Sequence, residues 1–300
     1  MGLLSSVTRG KQERPFKVAL YSGEGLGKTT FASAAPGAVI LDIEAGSSFV
    51  DCARSGKIDT LKDATDFLAA LESEPHEFKT VAIDTLDALE PLIWKHVIAN
   101  DNPKYQSKTI EDVGGGYGKG YVAALDIWRT ILASLDRLHA KGMNVILLAH
   151  ATVKPFKSPD ISVDSFDRYE MKLNKSAAAL IKEYPDALLF AQHEVATAEK
   201  DGRTKGVSTG RRIIQTTHSA AWDAKNRYGL PATIPLSWAE FESAARASSA
   251  QTVEAVLAEI KSVLEKKSVK TVEKSNEAIA RAGDDLGKLT KLLAWIKDQN

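Results

Sequence analysis

Phe16-Lys-Val-Ala-Leu-Tyr-Ser-Gly-Glu-Gly-Leu-Gly-Lys-Thr29 is the stretch whose reading decides the fold. Its first half is a short apolar run, the pattern of a strand buried on both faces. Its second half has the Walker A spacing and the closing Gly-Lys-Thr, with Ser22 where the pattern has glycine. Gly23, Gly25 and Gly27 supply a permissive backbone, so that successive N–H groups, including those of Glu24 and Leu26, can face one anion. A helix starting at Lys28 and running through Thr29 and Thr30 to a stop at Pro36-Gly37 adds the positive end of its dipole. In that arrangement Lys28 is expected on the β- and γ-phosphates of ATP, and the Thr29 hydroxyl on Mg²⁺. A chance glycine-rich turn would not require strand, loop and helix in this order.

Outward from the loop, Ala38–Ile43, Thr80–Asp84, Asn144–Ala149, Ala187–Ala191 and Arg211–Thr217 read as further strands. Helical spacing runs over Asp63–Leu71, Leu86–Ile98, Val122–Ala140 and Ser176–Lys182. The alternation implies crossover units, hence an α/β fold with a mainly parallel sheet flanked by helices. Strand ends then share one edge. Asp84 ends its strand in the Walker B position, suited to Mg²⁺, although it could also cap the helix that follows. Glu44 stands where a carboxylate could orient and deprotonate an attacking water, with Asp42 as its competitor. His150 ends the fourth strand, where it could report a γ-phosphate to the segment beyond; a lone histidine is more often structural. The histidines at 76, 96, 139, 193 and 218 show no metal-ligand spacing, and no zinc is expected.

Two stretches break the rhythm. Residues 101–120 hold Pro103 and Gly114-Gly-Gly-Tyr-Gly-Lys-Gly120 without an apolar period, and residues 151–172 also read as irregular. Structureless loops of that length inside a domain are often functional. A short arm over residues 1–14 precedes a core expected over 15–246. An Ala/Ser-rich stretch then leads to a helical appendage over 250–300, with stripes through Val253, Val256, Leu257, Ile260, Val263 and Leu264 and through Leu286, Leu289, Leu292, Leu293 and Ile296.

The 300 residues balance 39 Lys+Arg against 39 Asp+Glu, so bulk charge would not coat nucleic acid, while a local basic groove stays open. Cys52 is the only cysteine, which excludes an intrachain disulfide and fits a reducing cytosol. Apolar runs long enough to span a membrane are missing, as is a signal-peptide pattern, so a soluble cytoplasmic protein is expected.

Taken in order, these motifs resemble the RecA-like recombinase core, and more specifically the phage Sak-type single-strand annealing proteins. The resemblance is carried over roughly residues 15–240. Its motifs are the loop at 22–29, Leu41-Asp-Ile-Glu44, Val81-Ala-Ile-Asp84, Gly115-Gly-Tyr-Gly-Lys-Gly-Tyr121, Val145-Ile-Leu-Leu-Ala-His150, Phe166-Asp-Arg-Tyr169 and Asp223-Ala-Lys-Asn-Arg-Tyr-Gly-Leu-Pro231. It implies an ATP- and Mg²⁺-dependent protein of a phage-infected bacterium that forms a ring or filament of identical subunits on single-stranded DNA and promotes annealing or exchange. A single-strand-binding protein is a compatible partner. The family's catalytic glutamate falls on Glu44 and its γ-phosphate sensor on His150. Its DNA-holding loops fall on the two irregular stretches, where Lys104, Lys108, Tyr117, Lys119, Lys154, Lys157, Arg168 and Lys172 could track phosphates or stack on bases. Lys225 and Arg227 are candidates for cations supplied to a neighbouring subunit's nucleotide, with Arg211 and Arg212 as alternatives. A different class, an ATP-driven protein-remodelling factor such as a helicase loader, would use the same loops on a protein. A third is a nucleotide-binding structural oligomer with negligible turnover.

Overall fold

The computed structural model describes residues 7, 14–156, 166–200, 203–249, 253–264, 269–283 and 286–298. The apolar run forms β1 (Lys17–Ser22), with Val18 to Ser22 all buried. After the glycine loop come α1 (Lys28–Ser33), β2 (Ala38–Asp42), β3 (Ala53–Arg54), α2 (Leu61–Ser73), β4 (Thr80–Asp84) and α3 (Leu86–Ala99). Then follow α4 (Lys119–Ala140), β5 (Asn144–Phe156), β6 (Phe166–Met171), α5 (Lys175–Glu183), β7 (Ala187–Lys200), β8 (Arg203–Gln215), β9 (Lys225–Asn226), β10 (Thr233–Pro235) and α6 (Trp238–Ser249).

The sheet runs β10-β8-β7-β1-β5-β4-β2-β3, with β6 paired to β5 and β9 to β7. From β7 to β3 every pairing is parallel, while β8 and β10 are antiparallel additions. This is the mixed α/β architecture expected from the alternation of strands and helices. Register sets the functional edge, since Ser22 lies beside His150, Asp42 beside Asp84, and Asp84 beside Leu148.

Helices pack over the sheet because their apolar stripes match its faces. Leu68 and Leu71 of α2, Leu89 and Ile93 of α3, and Trp128, Ile131 and Leu135 of α4 share one core with Leu41, Ile83 and Leu147. Each such side chain contributes roughly 1.5–3 kcal/mol on full burial. The short α1 is held through Phe31, whose ring meets Trp238 at 5.5 Å and Phe241 at 6.1 Å. Thr60 and Asp63 begin α2 with a reciprocal capping box.

Three expectations need correction. Residues 101–118 are not structureless. They contain two 3-10 turns, and Asp101 accepts from the Ser107 hydroxyl at 2.5 Å and the Gly114 N–H at 3.1 Å. Part of the glycine run is steric, because a Cβ on Gly120 would sit 2.0 Å from the Ile110 carbonyl oxygen; α4 accordingly starts at Lys119, not Val122. The described parts of 151–172, residues 151–156 and 166–171, are not irregular either. β5 continues past the sheet to Phe156 and pairs antiparallel with β6, Ala151 opposite Met171. The sixth strand is longer than expected, because β7 and β8 form one hairpin that runs on beyond the parallel sheet from Phe190–Gln215 to Lys200–Arg203.

The chain divides into two compact units, Met1–Glu242 and Ser243–Asn300, so the division falls inside α6. The second unit contains α7 (Val253–Leu264), α8 (Val269–Ala282) and α9 (Leu286–Asp298), with Val256, Ile260, Leu289, Leu293 and Ile296 at its centre. α8 lies in the stretch read as helical, but its sparse apolar positions offered no stripe of their own.

Candidate nucleotide site

β1 delivers its last residue, Ser22, fully buried at the sheet edge. Gly25 (φ 68°) and Gly27 (φ 107°) then take the left-handed backbone that turns the chain into α1. The positive φ calls for glycine at 27, and a Cβ there would also come within 2.7 Å of the Arg212 guanidinium, the mobile end of its side chain. Arg212 itself donates to the Leu26 carbonyl at 3.0 Å. Glu24 and Thr30 are exposed and Leu26 is buried. Among the described residues, no protein group accepts from the backbone N–H groups of residues 24–30.

Lys28 is 6% exposed, and its ammonium donates to the Gly23 carbonyl at 3.1 Å and the Ser22 hydroxyl at 3.4 Å. Both partners are neutral. Burial lowers its pKa, and the carboxylates of Asp84, Asp87 and Glu44 oppose that shift from a distance. Ser22, the departure from the glycine pattern, thus serves as a partner for Lys28. The Thr29 hydroxyl donates to Asp84 Oδ2 at 2.5 Å. Burial raises the Asp84 pKa, against the lowering effect of the Thr29 hydrogen bond. A Walker-type P-loop takes a nucleotide with Mg²⁺, and the residues fit both. Unpaired N–H groups and a buried lysine with neutral partners suit phosphates, and a hydroxyl touching a buried carboxylate suits a hard cation.

Asp42 and Glu44, the two competitors at the end of β2, are separated by their partners. Asp42 is buried and accepts from Gly46 N (3.1 Å), Ser47 N (3.2 Å) and Ser47 Oγ (2.5 Å), so its carboxylate fastens the turn. Glu44 accepts from the Thr85 hydroxyl at 2.5 Å and keeps a third of its side chain exposed. His150 Nδ1 lies 3.4 Å from Glu44 Oε1 and 2.9 Å from Asp87 Oδ2. Donor atoms of Glu44, Asp87 and His150 therefore lie within 4.8 Å of one another, with the ring nitrogen engaged in a hydrogen bond.

The remaining candidates scatter. Lys225 and Arg227 sit at the opposite end of the strands. Lys225 pairs with Leu188 and donates to the carbonyls of Glu183 (2.8 Å) and Pro185 (2.7 Å), while Arg227 pairs with Asp186 at 3.1 Å. Both thus have intrachain partners, and Arg227 keeps 64% of its side chain exposed. Arg212 touches its own subunit's loop, and Arg211 pairs with Glu194 at 2.7 Å.

Lys104, Lys108, Tyr117, Lys119, Lys154 and Lys172 are exposed. Lys104 lies over the Tyr105 ring at 4.7 Å, Lys119 donates to the Gly114 carbonyl at 2.9 Å, and Lys154 is 3.7 Å from Glu170. Lys157 lies outside the described residues. Arg168 is corrected outright. It is 7% exposed, ion-paired to Asp223 and stacked on Phe156 at 4.6 Å. Asp223 also holds Lys182 at 2.5 Å and exchanges backbone hydrogen bonds with the Tyr21 hydroxyl, so the Asp223 motif is a clasp across the fold.

Sequence reasoning missed Asp87 and Thr85. An acid in the first turn of a helix carries no signal beyond its ordinary preference for that place. Arg212 was named only as a trans alternative, whereas it braces the loop of its own chain.

A glycine loop opening on a buried lysine, a strand-end aspartate on the following threonine and a mainly parallel sheet define a P-loop ATPase core. Residues 14–228 match the family model described as an AAA domain, and the chain belongs to that family. The search of curated proteins returned no match. Among solved structures, the flagellar accessory protein FlaH from Methanocaldococcus jannaschii aligns at 13% identity and a TM-score of 0.30, covering 67% of this chain and 77% of that one. Among the described residues, no helix is long and apolar enough to cross a membrane.

Proposed function

We propose that this P-loop domain hydrolyses ATP with Mg²⁺ and uses the cycle to control binding of single-stranded DNA, as a homo-oligomeric recombination protein promoting annealing or exchange. Lys28 and the loop N–H groups would bind the phosphates, Thr29 and Asp84 the metal, and Glu44 would orient the water. Mg²⁺ supplies charge neutralisation at the phosphates. The observation that carries the reading is the position of His150. It lies on the nucleotide edge beside Ser22, and the next residue begins the β5–β6 hairpin, whose base is closed by Lys172 N–H donating to the His150 carbonyl at 2.8 Å. A change at the ring therefore reaches a segment bearing Lys154, Tyr169 and Lys172.

Exposed Lys104, Lys108 and Tyr117 supply the same chemistry from the 101–118 segment, cations for phosphates and an aromatic for bases. Lys225, Arg227 and Arg211 all have intrachain partners, and Arg211, 74% exposed at its side chain against 64% for Arg227, is the most accessible candidate to reach a neighbouring subunit's nucleotide. The test is single-stranded DNA affinity with and without ATP across a salt series. ATP-dependent binding with a steep negative salt slope supports the reading, and negligible binding in both states overturns it. A protein-remodelling ATPase such as a helicase loader is the second reading, favoured by Tyr117 and Val153, 99% and 52% exposed on those same segments.

A further inference from the structure

We infer that Asp87 is a positioning residue for His150, holding the ring with its proton on Nδ1 and presenting Nε2 as the atom that answers to the nucleotide. The inference rests on the proposed role of His150 at the nucleotide edge and assigns how that role is set.

Two hydrogen bonds join the pair. Asp87 Oδ1 accepts from the His150 backbone N–H at 2.8 Å, and Asp87 Oδ2 lies 2.9 Å from His150 Nδ1. Together they fix both the strand end and the ring plane. Burial pushes the Asp87 carboxyl up, but the hydrogen bonds and charge of His150 outweigh it, leaving the group below its ordinary value and ionised. An ionised carboxylate only accepts, so the proton between them belongs to Nδ1. Nε2 then becomes the bare acceptor of a neutral ring, or a second donor when the ring is charged.

Asp87 occupies the first turn of the 14-residue α3, where the helix dipole favours its negative charge. Its side chain is 7% exposed, and that of His150 13%. Glu44 competes for the same Nδ1 from 3.4 Å. By taking that proton at shorter range, Asp87 leaves Glu44 with the Thr85 hydroxyl as its partner and an exposed face for water.

The test uses the full chain labelled with ¹⁵N-histidine, with the signal of His150 assigned through His150→Gln. Wild-type protein is expected to show protonated Nδ1 at His150. Asp87→Asn presents an amide donor and should move the proton to Nε2, the wrong-tautomer effect known for an aspartate that orients a catalytic histidine. With it, kcat for ATP should fall on the order of 10- to 100-fold, the range for lost orienting partners, while KM changes less than about threefold. In a His150→Gln background the same substitution should cost nothing further. A wild-type ring protonated on Nε2 overturns the inference even if Asp87→Asn does not fold. So does an unmoved tautomer, or a moved one with unchanged kcat. A tautomer that moves as expected in a protein with no ATP turnover would sink the proposed function and leave Asp87 as the orienting group.

Discussion

Lys28 and Lys225 stand at opposite ends of the same strands, and burial lowers the pKa of both. Their surroundings differ in one respect. Lys225 donates to carbonyls at the C-terminal end of α5, where unsatisfied acceptors and the negative end of the dipole favour a cation. Lys28 opens α1, at the positive end of a dipole, with a serine hydroxyl and one carbonyl as partners. A cation at a helix C-terminus completes the fold, whereas a buried cation at a helix N-terminus opposes it and favours an anion. The contrast extends along both ends. Near the start of the strands Lys17, Asp186, Arg227 and Tyr228 satisfy one another, while at the loop before α1 the N–H groups find no acceptor among the described residues.

The largest effect expected is that of Lys28→Ala, with ATP turnover falling on the order of 10²- to 10³-fold. Its Tm should hold or rise, because a buried cation with neutral partners is removed. Steady-state turnover beside thermal melts reads both, and a folded variant with wild-type turnover breaks the contrast. Asp223→Ala comes next, through stability. It strands the buried Arg168 and should cost about 4 kcal/mol. Urea titration should show a lower midpoint at constant slope.

Glu90 sharpens the comparison from a third position, behind the edge. It is 5% exposed, accepts from the Asn174 N–H, and burial pushes its pKa up to about 7. The folded state holds this proton more tightly than the unfolded chain does. The resulting stability is therefore complete below pH 4.5 and is lost as pH rises through 7, by roughly 3 kcal/mol at most. Glu90→Gln should flatten that dependence between pH 5 and 8 in denaturant titrations; parallel profiles for both proteins would remove Glu90 as its source. The smallest effect is Lys225→Met, expected to cost about 1 kcal/mol and lower Tm by about 2–4 °C. A deep loss of turnover at unchanged Tm would instead return Lys225 to a neighbour's nucleotide site.

Much of the core was legible because its signals are local. Short β-branched apolar runs such as Thr80–Asp84 read as buried strands, and Gly27-Lys-Thr29 specifies both a turn and a chemistry. The β5–β6 hairpin was hidden by its composition, since Lys154 and Pro155 interrupt the alternation and the partner strand lies beyond residue 165. Arg168 was misread for a different reason. Its anion, Asp223, is 55 residues away, and only the folded chain shows that this cation is spent. Asp87 was invisible because its partner, 63 residues off, is brought to it by the placement of β5 beside β4.

That placement has a consequence for signal transmission. β5 runs between β1 and β4, so its end lies between the loop suited to phosphates and the aspartate suited to the metal. The same strand then leaves the sheet as one arm of the hairpin. From His150 to the root of that arm is one peptide bond. No relay of intervening side chains separates that edge from the arm: the residue proposed as sensor and the hairpin proposed to respond are a single piece of covalent chain.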